Sequence, residues 1–264
     1  MKDGAIGVFD SGIGGLTVMK ELLRLLPGES FVYFGDTARV PYGNKSAETV
    51  LKFSREAIYF LMQKGVKLVV VACNTASAEA LPALEKEMTI PVVGVIEPGI
   101  RAAVTATKKA RVGVIGTLGT IRSGAYQNGI KQLAPDVEVF ARACPLFVPL
   151  AEEGWVDGEV AGLVATRYLS EYRQEGIDTL VLGCTHYPLL HGVIGRVMGN
   201  DVTLVDSAVE TAKRVAEVLS EKQLHREEEE GNFSVYLSDI SPTFKQVGER
   251  FLGREIPVIH LRNG

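Results

Sequence analysis

Two stretches of this chain end in the same way. Leu68-Val69-Val70-Val71-Ala72 runs into Cys73-Asn74-Thr75, and Thr179-Leu180-Val181-Leu182-Gly183 runs into Cys184-Thr185-His186. A short unbroken apolar run with β-branched members predicts a strand buried on both faces, as parallel sheets require. In an open α/β sheet, ligands bind just past the carboxyl ends of the strands. The chain therefore offers one thiol at the functional end of each half, in matching local contexts. Two thiols facing one cleft suit chemistry that needs two equivalent bases.

Strands of this kind recur at Ala5–Phe9, Phe31–Phe34, Leu68–Ala72, Val92–Val95, Val112–Ile115, Val137–Phe140, Leu180–Gly183, Thr203–Val205, Phe233–Leu237 and Ile256–His260. Helical patterns lie between them. Leu16, Met19, Leu22, Leu23 and Leu26 share one helical face before Pro27-Gly28. Ser46 can cap a helix that buries Val50, Ile58 and Leu61 and stops at Gly65, and another helix runs from Glu159 to Gln174. Repeated β-α units call for parallel sheets with helices on both faces. The halves also match each other. Ile6-Gly7-Val8-Phe9-Asp10-Ser11 resembles Val112-Gly113-Val114-Ile115-Gly116-Thr117, 106 positions on (6 to 112), and the two cysteines are 111 apart (73 to 184). Buried strands match by chance, but here the turn residues match too. The expected fold class is α/β, as two pseudo-symmetric doubly wound units with mainly parallel sheets and a cleft between them. After Ser207, the remaining chain is too short to stand alone and is expected to pack back onto one half. Its acidic run, Glu227 to Glu230, reads as a solvated loop.

At 264 residues, 46% of them hydrophobic and 23% charged, the chain has room for two domains of an ordinary globular protein. A net charge of −4 argues against a nucleic-acid surface held through phosphates. No apolar stretch approaches the length of a membrane span, so no membrane partner is expected. Met1-Lys2-Asp3-Gly4 leads straight into a strand, which predicts no signal peptide. Three cysteines, an odd count, fit free thiols in a reducing cytoplasm. No CxxC or HxxxH spacing accompanies Cys73 and Cys184, so no metal site is predicted.

The first turn, Asp10-Ser11-Gly12-Ile13-Gly14-Gly15, follows a strand and opens a helix. Its glycines can leave backbone N–H groups facing the cleft as an anion cradle. A dinucleotide fingerprint would need glycine where Thr17 stands, and a phosphate loop would need a Lys-Ser or Lys-Thr pair after the last glycine. A small carboxylate suits the turn better than a nucleotide. A strand–helix turn without any ligand has the same composition; Asp10 tips the balance, because a carboxylate at a strand end attracts an amine. Cys144, in Ala143-Cys144-Pro145-Leu146, reads as a small buried hydrophobe. Cys73 and Cys184 differ, since each ends a strand where a helix is expected to begin. A helix N-terminus lowers a thiol's pKa from about 8.5 toward neutrality. His186, two residues from Cys184, can exchange a proton with that site. A dithiol redox pair would need the sulfurs to touch, and a ligand-sized cleft keeps them apart.

Together these residues resemble the glutamate racemases of the aspartate/glutamate racemase superfamily, over essentially the whole chain. The blocks that carry the resemblance begin with Phe9 to Thr17, Gly35-Asp36-Thr37-Ala38-Arg39-Val40-Pro41-Tyr42-Gly43 and Ala72-Cys73-Asn74-Thr75-Ala76. Val95-Ile96-Glu97-Pro98-Gly99, Pro149-Leu150-Ala151-Glu152-Glu153-Gly154 and Gly183-Cys184-Thr185-His186-Tyr187-Pro188-Leu189-Leu190 follow. Two cysteines alone would point only to the superfamily. The Pro-Tyr-Gly block together with Cys-Thr-His-Tyr-Pro-Leu is far more specific.

The resemblance implies a cofactor-independent enzyme that interconverts L- and D-glutamate and supplies D-glutamate for peptidoglycan. It implies Cys73 and Cys184 as acid/base thiols, assisted by Asp10, Glu152 and His186. It implies substrate contacts from Asp10, Ser11, Pro41, Tyr42, Gly43, Asn74, Thr75, Thr117, Thr185 and His186. Cys73 would deprotonate D-glutamate and Cys184 L-glutamate. The implied domains are 1–96 plus 208–264, and 97–207, in a cytoplasmic homodimer whose partner is otherwise its small-molecule substrate. Removing an α-proton next to a carboxylate without pyridoxal requires hydrogen-bond donors for the developing charge. Asn74, Thr75, Thr117 and Thr185 are candidates, with N–H groups around Ser11 and Gly43. Two other readings stand beside this one: another two-thiol racemase, such as one for aspartate, and a two-lobed dicarboxylate-binding module without catalysis.

Overall fold

The computed structural model describes residues 2–227 and 230–262, so the middle of the acidic run, 228–229, lies outside the described residues. The strands are β1 (Ile6–Asp10), β2 (Phe31–Gly35), β3 (Leu68–Val71), β4 (Val92–Gly94), β5 (Arg111–Gly116), β6 (Glu138–Ala143), β7 (Thr179–Gly183), β8 (Thr203–Val205), β9 (Phe233–Leu237) and β10 (Ile259–Leu261). They form a six-stranded sheet, in the order β10-β9-β2-β1-β3-β4, and a four-stranded sheet, in the order β6-β5-β7-β8. Every neighbouring pair is parallel.

Alternation along the strands explains the layers. Ile6 and Val8 of β1, Leu68 and Val70 of β3, and Leu180 and Leu182 of β7 point into one apolar core that spans both sheets. Phe9, Val69 and Val71 point the other way, into a core under the helix Ala47–Gln63, and Val181 joins a third core with Ile100 and Ile130. Side chains alternate with period two, so strands apolar throughout need cover on both faces. Helices supply it. Ser46 caps Ala47–Gln63 by accepting from the Thr49 N–H, and Thr117 caps Leu118–Ser123 by accepting from the Thr120 N–H.

The repeat read in the sequence has a topological counterpart: β2-β1-β3-β4 and β6-β5-β7-β8 have the same strand order. In each set the chain leaves the first strand for one neighbour and then crosses to the other side. That reversal opens a crevice between the carboxyl ends of β1 and β3, and another between those of β5 and β7. Ser11 and Cys73 sit at the first crevice, Thr117 and Cys184 at the second. The tail does return, since β9 pairs with β2 and β10 with β9.

The two clear differences from the sequence reading lie at sheet edges. Strand β10 starts three residues after the expected Ile256, because Ile256 is a core residue beside the helix Phe244–Leu252 and Pro257 has no N–H for a ladder. Strand β6 runs on to Ala143 with a half-exposed pattern, which an edge strand tolerates.

Candidate active site

The carboxyl ends of the two sheets face each other across a cavity of about 40 Å³. Its walls bring together Ser11, Pro41, Tyr42, Gly43, Cys73, Asn74, Thr75, Thr117, Glu152, Cys184, Thr185 and His186, with Val40 and Val148. Every residue expected at the site is present except Asp10. The space is narrow, and the carboxyl ends of the two sheets stand close together around it. A wider hollow of about 690 Å³ lies beside β4, among Glu85, Arg101, Arg214 and Glu217, and carries neither thiol.

Contacts across the cleft hold this closed form. The hydroxyls of Thr75 and Thr117, from opposite sheets, are 2.8 Å apart. Gly43 leaves no room for a side chain against Thr117, whose Cβ would be 2.7 Å from an added Cβ. Gly14 is more crowded still: a Cβ there would stand 2.3 Å from Thr185 Oγ1 and 2.5 Å from His186 Nδ1. Thr17 donates its hydroxyl to the Gly14 carbonyl at 3.0 Å and the Thr185 carbonyl at 3.2 Å. The glycine turn thus differs from the expected anion cradle: it is where the Cys184 loop docks. Phe251, from the C-terminal helix, meets the edge of His186 with ring centroids 5.3 Å apart.

The two thiols have different surroundings. Cys73 is 5% exposed and donates to Ser11 Oγ at 3.5 Å. Burial, and then the Asp10 carboxylate, push its thiol up to about 12, against the Ser11 hydroxyl and the Ala76 N–H. The helix beginning at Asn74 was expected to lower that value; desolvation and a nearby carboxylate outweigh the dipole. Cys184 Sγ lies 3.8 Å from His186 Nδ1, and His186 Nε2 lies 3.0 Å from Glu152 Oε1. Burial opposes charge on His186, but Cys184 and Glu152 together raise its pKa from 6.5 to about 10. The segment after Cys184 is a short 3₁₀ turn, Tyr187–Leu190, rather than the start of a long helix.

Asp10 was expected to meet an amine. It is fully buried and outside the cavity's lining, where Oδ2 accepts from the Gly12 N–H at 2.9 Å and, among the described residues, Oδ1 has no hydrogen-bond partner. Burial raises its carboxyl, against the charge of His186 and the N–H groups of Gly12, Gly15 and Ser11. Tyr42 presents its body to the cavity, while its hydroxyl donates to Asp36 Oδ2 at 2.5 Å. Asp36 was not singled out as a site residue, although it lies in the motif that contains Tyr42. Cys144 is buried and donates to the Arg142 carbonyl at 3.8 Å, away from the cavity.

Known proteins place this arrangement. Residues 6–215 match the family model described as Asp/Glu/Hydantoin racemase. The glutamate racemase of Geobacter metallireducens is 61% identical over 253 residues, covering 96% of this chain and 94% of that one. The crystal structure of glutamate racemase from Francisella tularensis in complex with D-glutamate superposes with a TM-score of 0.94 at 40% identity, covering 100% of this chain and 98% of that one. The Thermus thermophilus enzyme in complex with β-chloro-D-alanine gives 0.89 at 47% identity, over 99% and 97%. The chain belongs to the Asp/Glu/hydantoin racemase family and, within it, groups with the glutamate racemases.

Proposed function

We propose that this chain is a glutamate racemase that interconverts L- and D-glutamate without a cofactor, with Cys73 and Cys184 as the paired acid and base. The observation that carries this reading is that both thiols open onto one cavity from equivalent strand ends of two similarly ordered sheets. Inversion at the α-carbon needs a base on one face and an acid on the other. The surroundings favour one starting state. Cys73 keeps its proton, because burial and Asp10 oppose its thiolate. His186, held by Glu152, lies 3.8 Å from the Cys184 sulfur, where its ring can take that thiol's proton. In that state Cys184 takes the α-proton of L-glutamate and Cys73 delivers one to the opposite face. The D-to-L direction starts from the opposite protonation state.

Charge that develops on the substrate carboxylate is met by Asn74, Thr75, Thr117 and Thr185, with N–H groups around Gly43. Closing the lobes removes water and strengthens these contacts. Asp10, fully buried and outside the cavity's lining, acts on Cys73, whose thiolate it opposes. The same reading extends to the domain division 1–96 plus 208–264 and 97–207, a cytoplasmic homodimer, and supply of D-glutamate for peptidoglycan. No helix among the described residues is long and apolar enough to cross a membrane.

The test is conversion of L-glutamate to D-glutamate by the purified protein, without added pyridoxal phosphate or metal and with chelator present. Loss of activity under those conditions would overturn the mechanism. Faster turnover of L-aspartate would reassign the substrate. Binding of glutamate without exchange of its α-proton would indicate a binding module.

A further inference from the structure

Tyr126 is fully buried, on the helix Ala125–Leu133 of the second lobe, yet its hydroxyl reaches the first lobe. It donates to Asn74 Oδ1 at 2.8 Å. Its ring lies in a slot between two glycines: a Cβ on Gly99 would stand 3.0 Å from the Tyr126 hydroxyl, and one on Gly183 would stand 3.1 Å from the ring. Gly183 immediately precedes Cys184, and Asn74 immediately follows Cys73. A single side chain thus touches the neighbours of both thiols. Gly99 and Ser207, which stands beside the same hydroxyl, lie in the two connections that carry the chain between the sheets.

We propose that Tyr126 is a positioning residue, which fixes the carboxamide of Asn74 for catalysis and locks it to the closed arrangement of the lobes. An amide has one acceptor end and one donor end. With Oδ1 engaged by Tyr126, the Nδ2 hydrogens of Asn74 are left to donate into the cavity that Asn74 lines. Burial opposes ionisation of the Tyr126 phenol, so it keeps its proton and gives it to Asn74. Because Asn74 belongs to one lobe and Tyr126 to the other, the bond forms fully only when the lobes meet. A donor oriented before the reaction stabilises developing charge without reorganising. This inference rests on the racemase reading.

The test is a double-mutant cycle on the full-length enzyme. Tyr126→Phe keeps the ring in its slot and removes only the hydroxyl. Direct loss of an oxyanion donor costs about 10²–10³ in kcat, so loss of its orienting partner is expected to lower kcat roughly tenfold or more, with a smaller change in KM. In an Asn74→Ala background the same change should cost almost nothing, because Tyr126 acts through Asn74. Tyr172→Phe is the control: Tyr172 is equally buried and donates to the Val114 and Phe140 carbonyls, so it should lose stability without this kinetic pattern. Wild-type kcat for Tyr126→Phe, or equal losses with and without Asn74, would overturn the proposal. If Tyr126→Phe does not fold, Ser207→Ala should give the same non-additive pattern at smaller size, and additivity there would overturn it. A wild-type enzyme that does not racemise glutamate would instead overturn the reading of function.

Discussion

A single methyl group at Gly14 tests whether the cavity depends on the docking of the two lobes. Gly14 does not have a positive φ, so alanine fits its backbone without strain. The added Cβ would stand 2.3 Å from Thr185 Oγ1, 2.5 Å from His186 Nδ1 and 2.6 Å from His186 Cε1, whereas ordinary contact begins near 3.4 Å. The Thr185-His186 segment must therefore retreat by about 1 Å, taking the imidazole away from Cys184. A displacement of about 1 Å in a catalytic geometry costs roughly 10²-fold. Overpacking typically costs about 1–3 kcal/mol of stability, and parting of the lobes relieves some of that here. Gly14→Ala should therefore keep its fold by circular dichroism while kcat/KM for L-glutamate drops about a hundredfold. Gly162→Ala is the matched control, since Gly162 is half-buried on the helix Gly158–Glu175 and a Cβ there meets nothing within 4 Å. It should gain up to about 1 kcal/mol from helix propensity with unchanged kinetics. A Gly14→Ala enzyme within a few-fold of wild type would refute the reasoning.

Cys73→Ala and Cys184→Ala should each lower racemisation in both directions by about 10²–10⁴-fold, the usual contribution of a general acid or base; Cys144→Ala should stay within a few-fold, and steady-state rates from each enantiomer check all three. Glu152→Gln removes one of the two groups that hold His186 protonated, so the alkaline limb of kcat/KM should move to lower pH, by less than a full unit because the carboxylate is half-exposed. The sign follows from the raised folded-state value: the stabilisation from charged His186 is fully present below about pH 6.5 and is lost as the pH rises through about 10. An unmoved alkaline limb would show that Glu152 does not support His186.

The strands were legible because a buried parallel strand leaves no polar position to disguise it. Leu68–Val71, and β7 after Thr179, are apolar on both faces, and both faces are covered. At the edges the signal fades: Ile256 is apolar for a helix-packing reason, and Arg142 extends β6 where solvent allows it. The thiols and the polar wall were visible as strand-end residues. What local sequence could not carry was distance between segments. Gly14 looks like an anion-binding glycine until Thr185, 171 residues later (14 to 185), is found against it. The dipole acting on Cys73 is local, but the burial and the Asp10 carboxylate that outweigh it are tertiary. Tyr126 and Val148 give no local signal, since a tyrosine or valine on a helix reads as core. Asp10 followed the rule for strand-end carboxylates but turned back onto its own glycine turn.

The division of labour between the thiols is most directly measured by isotope incorporation during the first turnovers of L-glutamate in D₂O. In the proposed mechanism Cys184 removes the α-proton on one face, and Cys73, exchanged with solvent beforehand, delivers a deuteron to the other. Mass spectrometry of the separated enantiomers should therefore find deuterium at Cα of the newly formed D-glutamate and almost none in the remaining L-glutamate. A single base serving both faces would pass the original proton across, and D-glutamate that remained rich in protium would contradict the two-thiol account.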